Sequence, residues 1–314
     1  MSLATWRLVQ NRGAESSTDG TEHRYTWDAW NRLVKVEERD YTSGTPGSWS
    51  DAGTYQYDAV NRRIVKVTSE TRHFYYTDRW QCLEERVGTS SSARVQYVWG
   101  SRYVDDLVLG DSDLDSNGSL ETRFYGIQDA NWNMVAIVDD SGTVLERYSY
   151  YPYGEAKILD DDFTPDANNL SDVANPYLFT TRRFDSESSL YYFRNRYYHS
   201  QLGRFVNRDP VAYEGSKWNL YVYVDSNPLK ATDPTGLEVI NLTVCVACAS
   251  CIGVDVCVVA GCIGMCNEQG YWDVPGERSW NCFKKCTKTV GAPLTAVCAM
   301  LCLACGTLLL LPGA

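Results

Sequence analysis

Positive charge, histidine and a leader-like start are all scarce or missing in this sequence. It has 29 Lys and Arg against 40 Asp and Glu, which gives a net charge of −11, and only 3 His. Such a surface repels a phosphate backbone, so we expect no nucleic-acid partner for the chain as a whole. Residues 1–7 contain no basic stretch followed by an apolar one, and we therefore expect no secretory signal. No cofactor motif occurs either, which argues against a cytosolic enzyme acting on small molecules.

Cysteine is nearly missing from the first 237 residues, and phenylalanine is scarce among the aromatic residues. Cys82 stands alone in residues 1–237, whereas eleven cysteines lie between Cys245 and Cys305. A uniform domain would not divide its cysteines in this way, so we expect a domain boundary near residue 238. Only 8 Phe accompany 22 Tyr and 10 Trp. Tyr and Trp suit pleated surfaces that are half buried, because one end of the side chain is apolar and the other can meet water. This composition favours a mainly β fold.

Two segments of the chain share one frame. Residues 25–36 and 55–67 both contain an aromatic residue, then Asp, Ala, any residue, Asn and Arg. Alternating apolar and basic residues follow. Alternation with period two predicts strands with one buried face, and the Asp and Asn between them favour a tight turn. Weaker copies occur at residues 74–80 and 95–100. One hairpin cannot bury its own apolar face, so we predict stacked antiparallel hairpins.

This frame resembles the YD repeat of Rhs proteins, of the C components of Tc insecticidal toxins and of teneurins. The resemblance implies a hollow β-hairpin shell closed at one end by a core plug. It divides the chain into a YD-repeat segment (1–120), an Rhs repeat-associated core domain that ends in Asp-Pro-Thr-Gly-Leu (121–237) and a variable tail (238–314). Because the chain begins inside repeat-like sequence, we expect it to be part of a longer polypeptide. The matching landmarks are residues 125–154, 179–185, 190–198, 202–205, 209–210, 219–223, 227–228 and 233–237.

Two Asp-Pro pairs, at Asp209 and Asp233, are candidates for chemistry. Proline restrains its own backbone and that of the preceding residue, so both carboxylates would sit on a restrained chain. If the two carboxylates were close, they could not both ionise cheaply, and one would keep a proton while the other acted as a base. Such a pair can hydrolyse a peptide bond. Spacing alone does not separate this reading from two turn-forming Asp-Pro pairs.

The family resemblance supplies the substrate and a third residue. Relatives use this pair to cut their own chain after the closing Asp-Pro-x-Gly-Leu, which implies a single-turnover cut between Leu237 and Glu238. It also implies that Arg196 orients or biases a carboxylate. This chain departs from the family pattern at His199, where relatives often have Asp. We interpret His199 as a turn residue and not as a catalytic base.

An acidic loop resembles the first half of a calcium-binding loop. Asp111, Asp113, Asp115 and Asn117 space oxygens at alternate positions, and Gly118 permits a sharp bend. Counted from Asp113, the twelfth position is not the usual Glu, and no helical pattern flanks the loop. The alternatives are a structural calcium site and an acidic turn between strands. No cofactor is otherwise required.

The tail has a different chemistry, with two long apolar stretches at residues 242–265 and 292–311. A helix of about 20 apolar residues spans a bilayer. Cysteines recur at three- and four-residue intervals, which places them on one stripe of a helix. They could staple two antiparallel helices, serve as small apolar residues in a membrane hairpin, or bind zinc, although the tail has no His. The candidates for the disulfide staple are Cys262, Cys266, Cys282 and Cys286.

These features favour an Rhs-type shell and self-cleaving module that releases a cysteine-rich, α-helical and membrane-active toxin or effector. The expected partners are the encapsulated tail itself, a membrane or target-cell surface and an immunity protein. The expected location is outside the producing cell or at its surface, within a larger exported protein. The tail could also be inactive. The alternative function is a cell-surface structural or adhesion protein that is not cleaved and uses the tail as a membrane anchor.

Overall fold

A computed structural model describes residues 4–10, 20–212, 219–237 and 239–241, with only the backbone described for 4–10 and 240–241. Within these residues no helix is long and apolar enough to cross a membrane. The predictions for Glu238, for the four disulfide candidates and for the helical tail lie outside the described residues.

The described chain is mainly antiparallel β structure, which confirms the predicted fold class. Fourteen strands form one sheet, which we call the wall. Its neighbours follow chain order, except that β4 pairs only with β3, so β3 also lies beside β5. The sheet continues without a break across residues 120 and 121. The strands are β1 Ala4–Gln10, β2 Gly20–Trp27, β3 Leu33–Thr42, β4 Thr45–Pro46, β5 Ser50–Tyr57, β6 Arg63–Val67, β7 Thr71–Tyr76, β8 Cys82–Val87, β9 Val95–Trp99, β10 Leu107–Ser112, β11 Thr122–Gln128, β12 Met134–Val138, β13 Val144–Tyr150 and β14 Ala156–Leu159.

The turn in the repeated frame has one geometry. In the first copy Asp28 Oδ1 accepts hydrogen bonds from the backbone N–H of Trp30 (2.9 Å) and Arg32 (3.0 Å), and Asp28 Oδ2 accepts one from Arg32 Nε (2.7 Å). Asn31 has a φ of +63°, which Asn tolerates better than most residues. Asp58 makes the same three bonds in the second copy. The frame therefore specifies a self-contained hairpin, as predicted.

The same backbone hydrogen bonds also close turns whose sequence does not match the repeated frame. In each turn the backbone N–H of the first residue donates to the carbonyl oxygen of the residue four positions later. The fourth residue has a positive φ, and its N–H donates to the carbonyl oxygen of the first residue. This is a three-residue hairpin loop with a bulge. Residues 95–100 do not form it, because β9 is followed by a longer loop, 100–106. Eight such turns in the described residues begin at Asp28, Asp58, Thr77, Asp129, Asp139, Tyr151, Asp160 and Leu178.

The remaining strands form a small body against the wall, which we call the plug (177–212, 219–237 and 239–241). One sheet has the order β15-β16-β17-β18, and a second pairs β19 with β20. Their bounds are β15 Arg183–Asp185, β16 Leu190–Phe193, β17 Arg196–His199, β18 Arg204–Phe205, β19 Ala231–Thr232 and β20 Ile240–Asn241. All residues of β16 and β17 are buried. The plug is packed with aromatic rings, for example Tyr198 and Tyr223 with centroids 4.5 Å apart.

Buried ion pairs join the plug to the wall. Asp185 of the plug accepts bonds from Arg63 Nη2 (3.0 Å) and Lys66 Nζ (3.0 Å) of the wall. Glu85 of the wall in turn binds Arg183 of the plug, with Glu85 Oε2 3.1 Å from Arg183 Nη2. Arg63, Asp185 and Glu85 are fully buried. Since buried charges are costly unless they are paired, these contacts fix how the plug sits on the wall.

Candidate functional site

Arg196 is the centre of the candidate site. It begins β17 directly after the tight β16–β17 connection, in which Arg194 has a φ of +62°. Its Nη1 lies 3.0 Å from Asp209 Oδ2 and its Nη2 2.9 Å from Asp233 Oδ2. Its guanidinium carbon stacks 3.6 Å from the ring centroid of Phe205. One buried cation therefore bridges the two carboxylates that the sequence analysis paired.

Asp209 follows β18 and is held by the backbone around it. Its N–H donates to the carbonyl of Leu220 (2.9 Å), and its Oδ1 accepts from the N–H of Val211 (3.0 Å). Burial raises the pKa of the Asp209 carboxyl, and Arg196 and the Val211 N–H only partly oppose this shift. Burial therefore favours the protonated form of Asp209.

Asp233 folds back over the residues that follow it. Its Oδ1 accepts from the N–H of Gly236 (2.7 Å) and of Leu237 (3.0 Å), while its Oδ2 faces Arg196. The turn requires glycine at 236, where φ is +73° and a Cβ would lie 2.4 Å from the carbonyl oxygen of Phe193. Arg196 Nε also donates to the Gly236 carbonyl. The carboxylate, the arginine and the closing motif thus form one buried cluster.

Asp209, Asp233 and Arg196 are therefore brought together, and Leu237 lies against them through its amide. The arginine adds a feature that the two-carboxylate argument lacks, because its positive charge offsets the repulsion between the two Asp. Both carboxylates and the guanidinium are at most 6% exposed, so their charges interact in a medium that screens them weakly.

Sequence reasoning missed three residues beside this cluster. Arg182 Nη1 donates to the carbonyl of Pro234 (3.1 Å), and Arg194 Nη1 donates to the same oxygen. Both arginines ion-pair with Asp105 of the wall loop 100–106. The arginines lie in or beside the family landmarks and could have been considered. No local sequence pattern marks Asp105 as part of the site, since its partners are far away in the sequence.

His199 is the last residue of β17 and pairs with Arg204 of β18, so it borders the turn that the sequence analysis expected it to occupy. Its Nδ1 accepts a hydrogen bond from the Leu202 N–H (3.3 Å), in the turn between β17 and β18. Burial lowers the pKa of His199 to about 4, with Arg204 among the smaller causes. The ring is therefore neutral at pH 7.

The acidic loop brings only some of its predicted ligands together. Oxygens of Asp113, Asp115 and Glu121 lie within 4.8 Å of one another. Asp111 points elsewhere and pairs with Arg123 (2.7 and 2.8 Å). Asn117 donates its side-chain amide to Asp115 (3.0 Å) and Glu121 (2.7 Å), so it serves the turn through hydrogen bonds. Glu121 was not among the predicted ligands. The calcium site stays a prediction.

Comparison with known proteins gives relatives of one kind. No family model matches the chain. It is 27% identical over 236 residues to the tRNA3(Ser)-specific nuclease WapA of Bacillus spizizenii, covering 73% of this chain and 9% of that protein. It is 29% identical over 251 residues to the toxin protein Tse5 of Pseudomonas aeruginosa, covering 74% of this chain and 18% of that protein. The chain thus spans less than a fifth of the length of either relative.

A solved structure shares the fold. In the pore structure of the Photorhabdus luminescens Tc holotoxin with a TccC3 mutation, one chain superposes with a TM-score of 0.51 and 20% identity, over 68% of this chain and 10% of that one. The sequence relatives and this shared fold confirm the predicted resemblance to Rhs/YD-repeat shell proteins.

Proposed function

We propose that this shell segment delivers a toxin and cuts its own chain after Leu237, so that residues 238–314 become a separate cargo. The observation that carries the proposal is the Arg196 guanidinium, which contacts Asp209, Asp233 and the Gly236 carbonyl at once. A buried constellation of this kind next to a closing motif is more than turn formation needs. A wall turn needs at most one hydrogen-bonded Asp, and the turns that begin at Thr77 and Tyr151 have no Asp at the first position.

The relatives support the delivery role. The proteins that share this segment include a tRNA3(Ser)-specific nuclease, a tRNA(Glu)-specific nuclease and a toxin protein. A common shell with changing specificities is what a carrier of exchangeable C-terminal cargo would give. We infer that residues 238–314 are the cargo here, that an immunity protein protects the producer, and that the chain acts as part of an exported protein. The apolar stretches of the tail favour a membrane as its target.

The chemistry follows from the two carboxyls. Asp233 accepts two N–H bonds and faces Arg196, and these interactions favour its ionised form. It takes a proton from a water molecule, whose oxygen bonds to the Leu237 carbonyl carbon. Asp209, which burial inclines to keep its proton, donates that proton as the bond to the Glu238 nitrogen breaks. The products are a carboxylate at Leu237 and an amine at Glu238, and Arg196 holds both carboxyls in place.

The mass of the purified full chain tests the cut. We expect two fragments that meet between Leu237 and Glu238, and an intact chain for Asp233→Asn and Asp209→Asn. Asp58→Asn is the matched control, because Asp58 also accepts two N–H bonds on Oδ1 and binds an arginine through Oδ2, but on the wall. The control should be cut like the unchanged chain.

Two results would contradict this function. One is a folded, unchanged chain that stays intact, and the other is a cut Asp233→Asn chain. An intact chain that fractionates with membranes would instead support the anchored surface protein. For the cargo, dye release from lipid vesicles by the separated 238–314 fragment tests membrane activity, and vesicles that remain sealed count against it.

A further inference from the structure

The wall touches the candidate site from both sides of Asp233. Loop 100–106 joins β9 to β10 and so belongs to the wall, whereas Asp233 belongs to the plug. On one side the hydroxyl of Tyr103 lies 3.4 Å from that of Thr232. On the other side Asp105 Oδ1 accepts from Arg194 Nη2 (2.8 Å), and Arg194 contacts the carbonyl of Pro234.

Two arginines share Asp105 as their counter-ion. Arg182 and Arg194 both direct one Nη1 at the Pro234 carbonyl and both pair with Asp105. All three charged groups are buried, with Asp105 only 2% exposed. Burial lowers the pKa of both arginines, that of Arg194 to about 10, and Arg194 adds to the effect on Arg182. Without Asp105, two like charges would face each other beside Pro234 and would be driven apart.

The position of Asp105 is fixed by the wall itself. Its backbone carbonyl accepts from Gln128 Nε2 (2.8 Å) on β11. The loop is closed by the Gly100 N–H, which donates to the Asp106 carbonyl (2.7 Å), and by the ion pair between Arg102 and Asp106 (2.9 Å). The plug therefore meets a carboxylate that the wall already holds in place.

We propose that Asp105 is a positioning residue for self-cleavage: it lets Arg182 and Arg194 fix the Pro234 carbonyl, and so the Asp233 turn, only when the plug is seated on the wall. This inference rests on the proposed function. Its consequence is that the cut is conditional on shell assembly, because half of the clamp comes from a part of the chain more than a hundred residues away from the bond. A chain whose plug has not docked would keep its cargo attached.

The rate of the cut tests this inference in the full chain. Cell-free synthesis with a short label pulse, a chase and timed quenching in detergent gives a first-order rate constant, and thermal unfolding reports the fold. We expect Asp105→Asn to slow the cut by about tenfold to a hundredfold, as for a misplaced reacting group. Asp105→Glu keeps the charge and should recover part of the rate. Glu22→Gln is the matched control, since Glu22 is another buried wall carboxylate bound to an arginine, Arg39, but its partner lies within the wall. Its rate should change less than about threefold, although its cost in stability is similar.

A charge-balanced variant separates positioning from folding. If Asp105 acts through Arg194, adding Asp105→Asn to Arg194→Gln should slow the cut much less than it does alone. If Asp105→Asn alone does not fold, the rate of the cut is measured in this double variant. Equal slowing by Glu22→Gln, or full additivity in the double variant, would overturn the inference. If the unchanged chain is cut and Asp105→Asn is cut equally fast, the inference fails and the proposed function stands. If the unchanged chain is never cut, both fail.

Discussion

Replacing Asp185 by asparagine tests whether buried charge pairs hold the plug to the wall. Asp185 is fully buried and binds Arg63 through both oxygens, at 2.5 and 3.0 Å, with Lys66 3.0 Å away. Asparagine keeps the shape but removes the charge, so Arg63 is left buried without its counter-ion. Breaking such a pair costs about 3–5 kcal/mol, which is a large part of a typical stability of about 5–15 kcal/mol.

The wall also offers a matched pair that is exposed to solvent. Glu37 binds Arg24 through both oxygens at 2.6 and 2.7 Å, but 33% of the Arg24 side chain is exposed. Glu37→Gln should cost only about 0–1 kcal/mol, because water and salt screen the pair. Urea unfolding at pH 7, followed by tryptophan fluorescence, gives both free energies of unfolding. The mass of each chain is checked first, so that only chains in the same cleavage state are compared.

The pH dependence provides a second check on the same variant. Burial pushes the pKa of Asp185 upward, but Arg63 and Lys66 outweigh it, so that the pKa lies below its usual range. The stability that this carboxylate contributes is therefore present above its unfolded pKa of about 3.9 and is lost as the pH falls towards its folded pKa. The difference from Asp185→Asn should be constant between about pH 5 and 7 and should shrink below about pH 4. Equal losses for the two variants at pH 7 would refute the argument from burial.

Three further predictions concern single residues. Gly236→Ala should lower the free energy of unfolding by more than Gly142→Ala, because both have positive φ but only Gly236 would place its Cβ against the backbone of Phe193; the φ penalty alone is about 1–2 kcal/mol, and equal losses in urea would contradict the steric argument. Burial raises the pKa of Cys82 to about 12, so its thiol should resist alkylation at pH 8 until urea unfolds the chain; peptide mass mapping reads this, and rapid labelling of folded protein would contradict it. If the acidic loop binds calcium, millimolar calcium should raise the melting temperature of the unchanged chain but not of Asp113→Asn; calorimetry without a binding signal would leave an acidic turn.

The wall could be predicted from sequence because its turns are local. Each repeat places an Asp three residues before a residue in the left-handed region, and this is enough to close a hairpin. The turns at Thr77 and Tyr151 show why the prediction stopped short. Their backbones close in the same way without an Asp at the first position, so the turn geometry is more widespread than the sequence pattern. The loop after β9 differed for the opposite reason, since a copy of the pattern did not form the closed turn.

The candidate site could be predicted only in part. Asp209, Asp233 and Arg196 were selected through family landmarks, and the fold brings these side chains together. Their spacing in the chain carries no such information, because the contact depends on how β17 lies against two loops. Asp105 was out of reach for the same reason. Its partners are 77 and 89 positions away, and no local pattern marks a buried carboxylate whose counter-ions come from another part of the fold.

The meander order of the wall has a consequence for synthesis. Each wall strand pairs with a strand made just before it, so a ribosome can add one finished hairpin after another to the growing edge. The plug cannot form in this way. The hydroxyl of Tyr25 reaches the carbonyl of Ser188 across 163 positions, and Arg63 reaches Asp185 across 122. The plug, which is made after the wall, therefore meets a surface that is already built, and Asp209 and Asp233 come together only after the wall is in place.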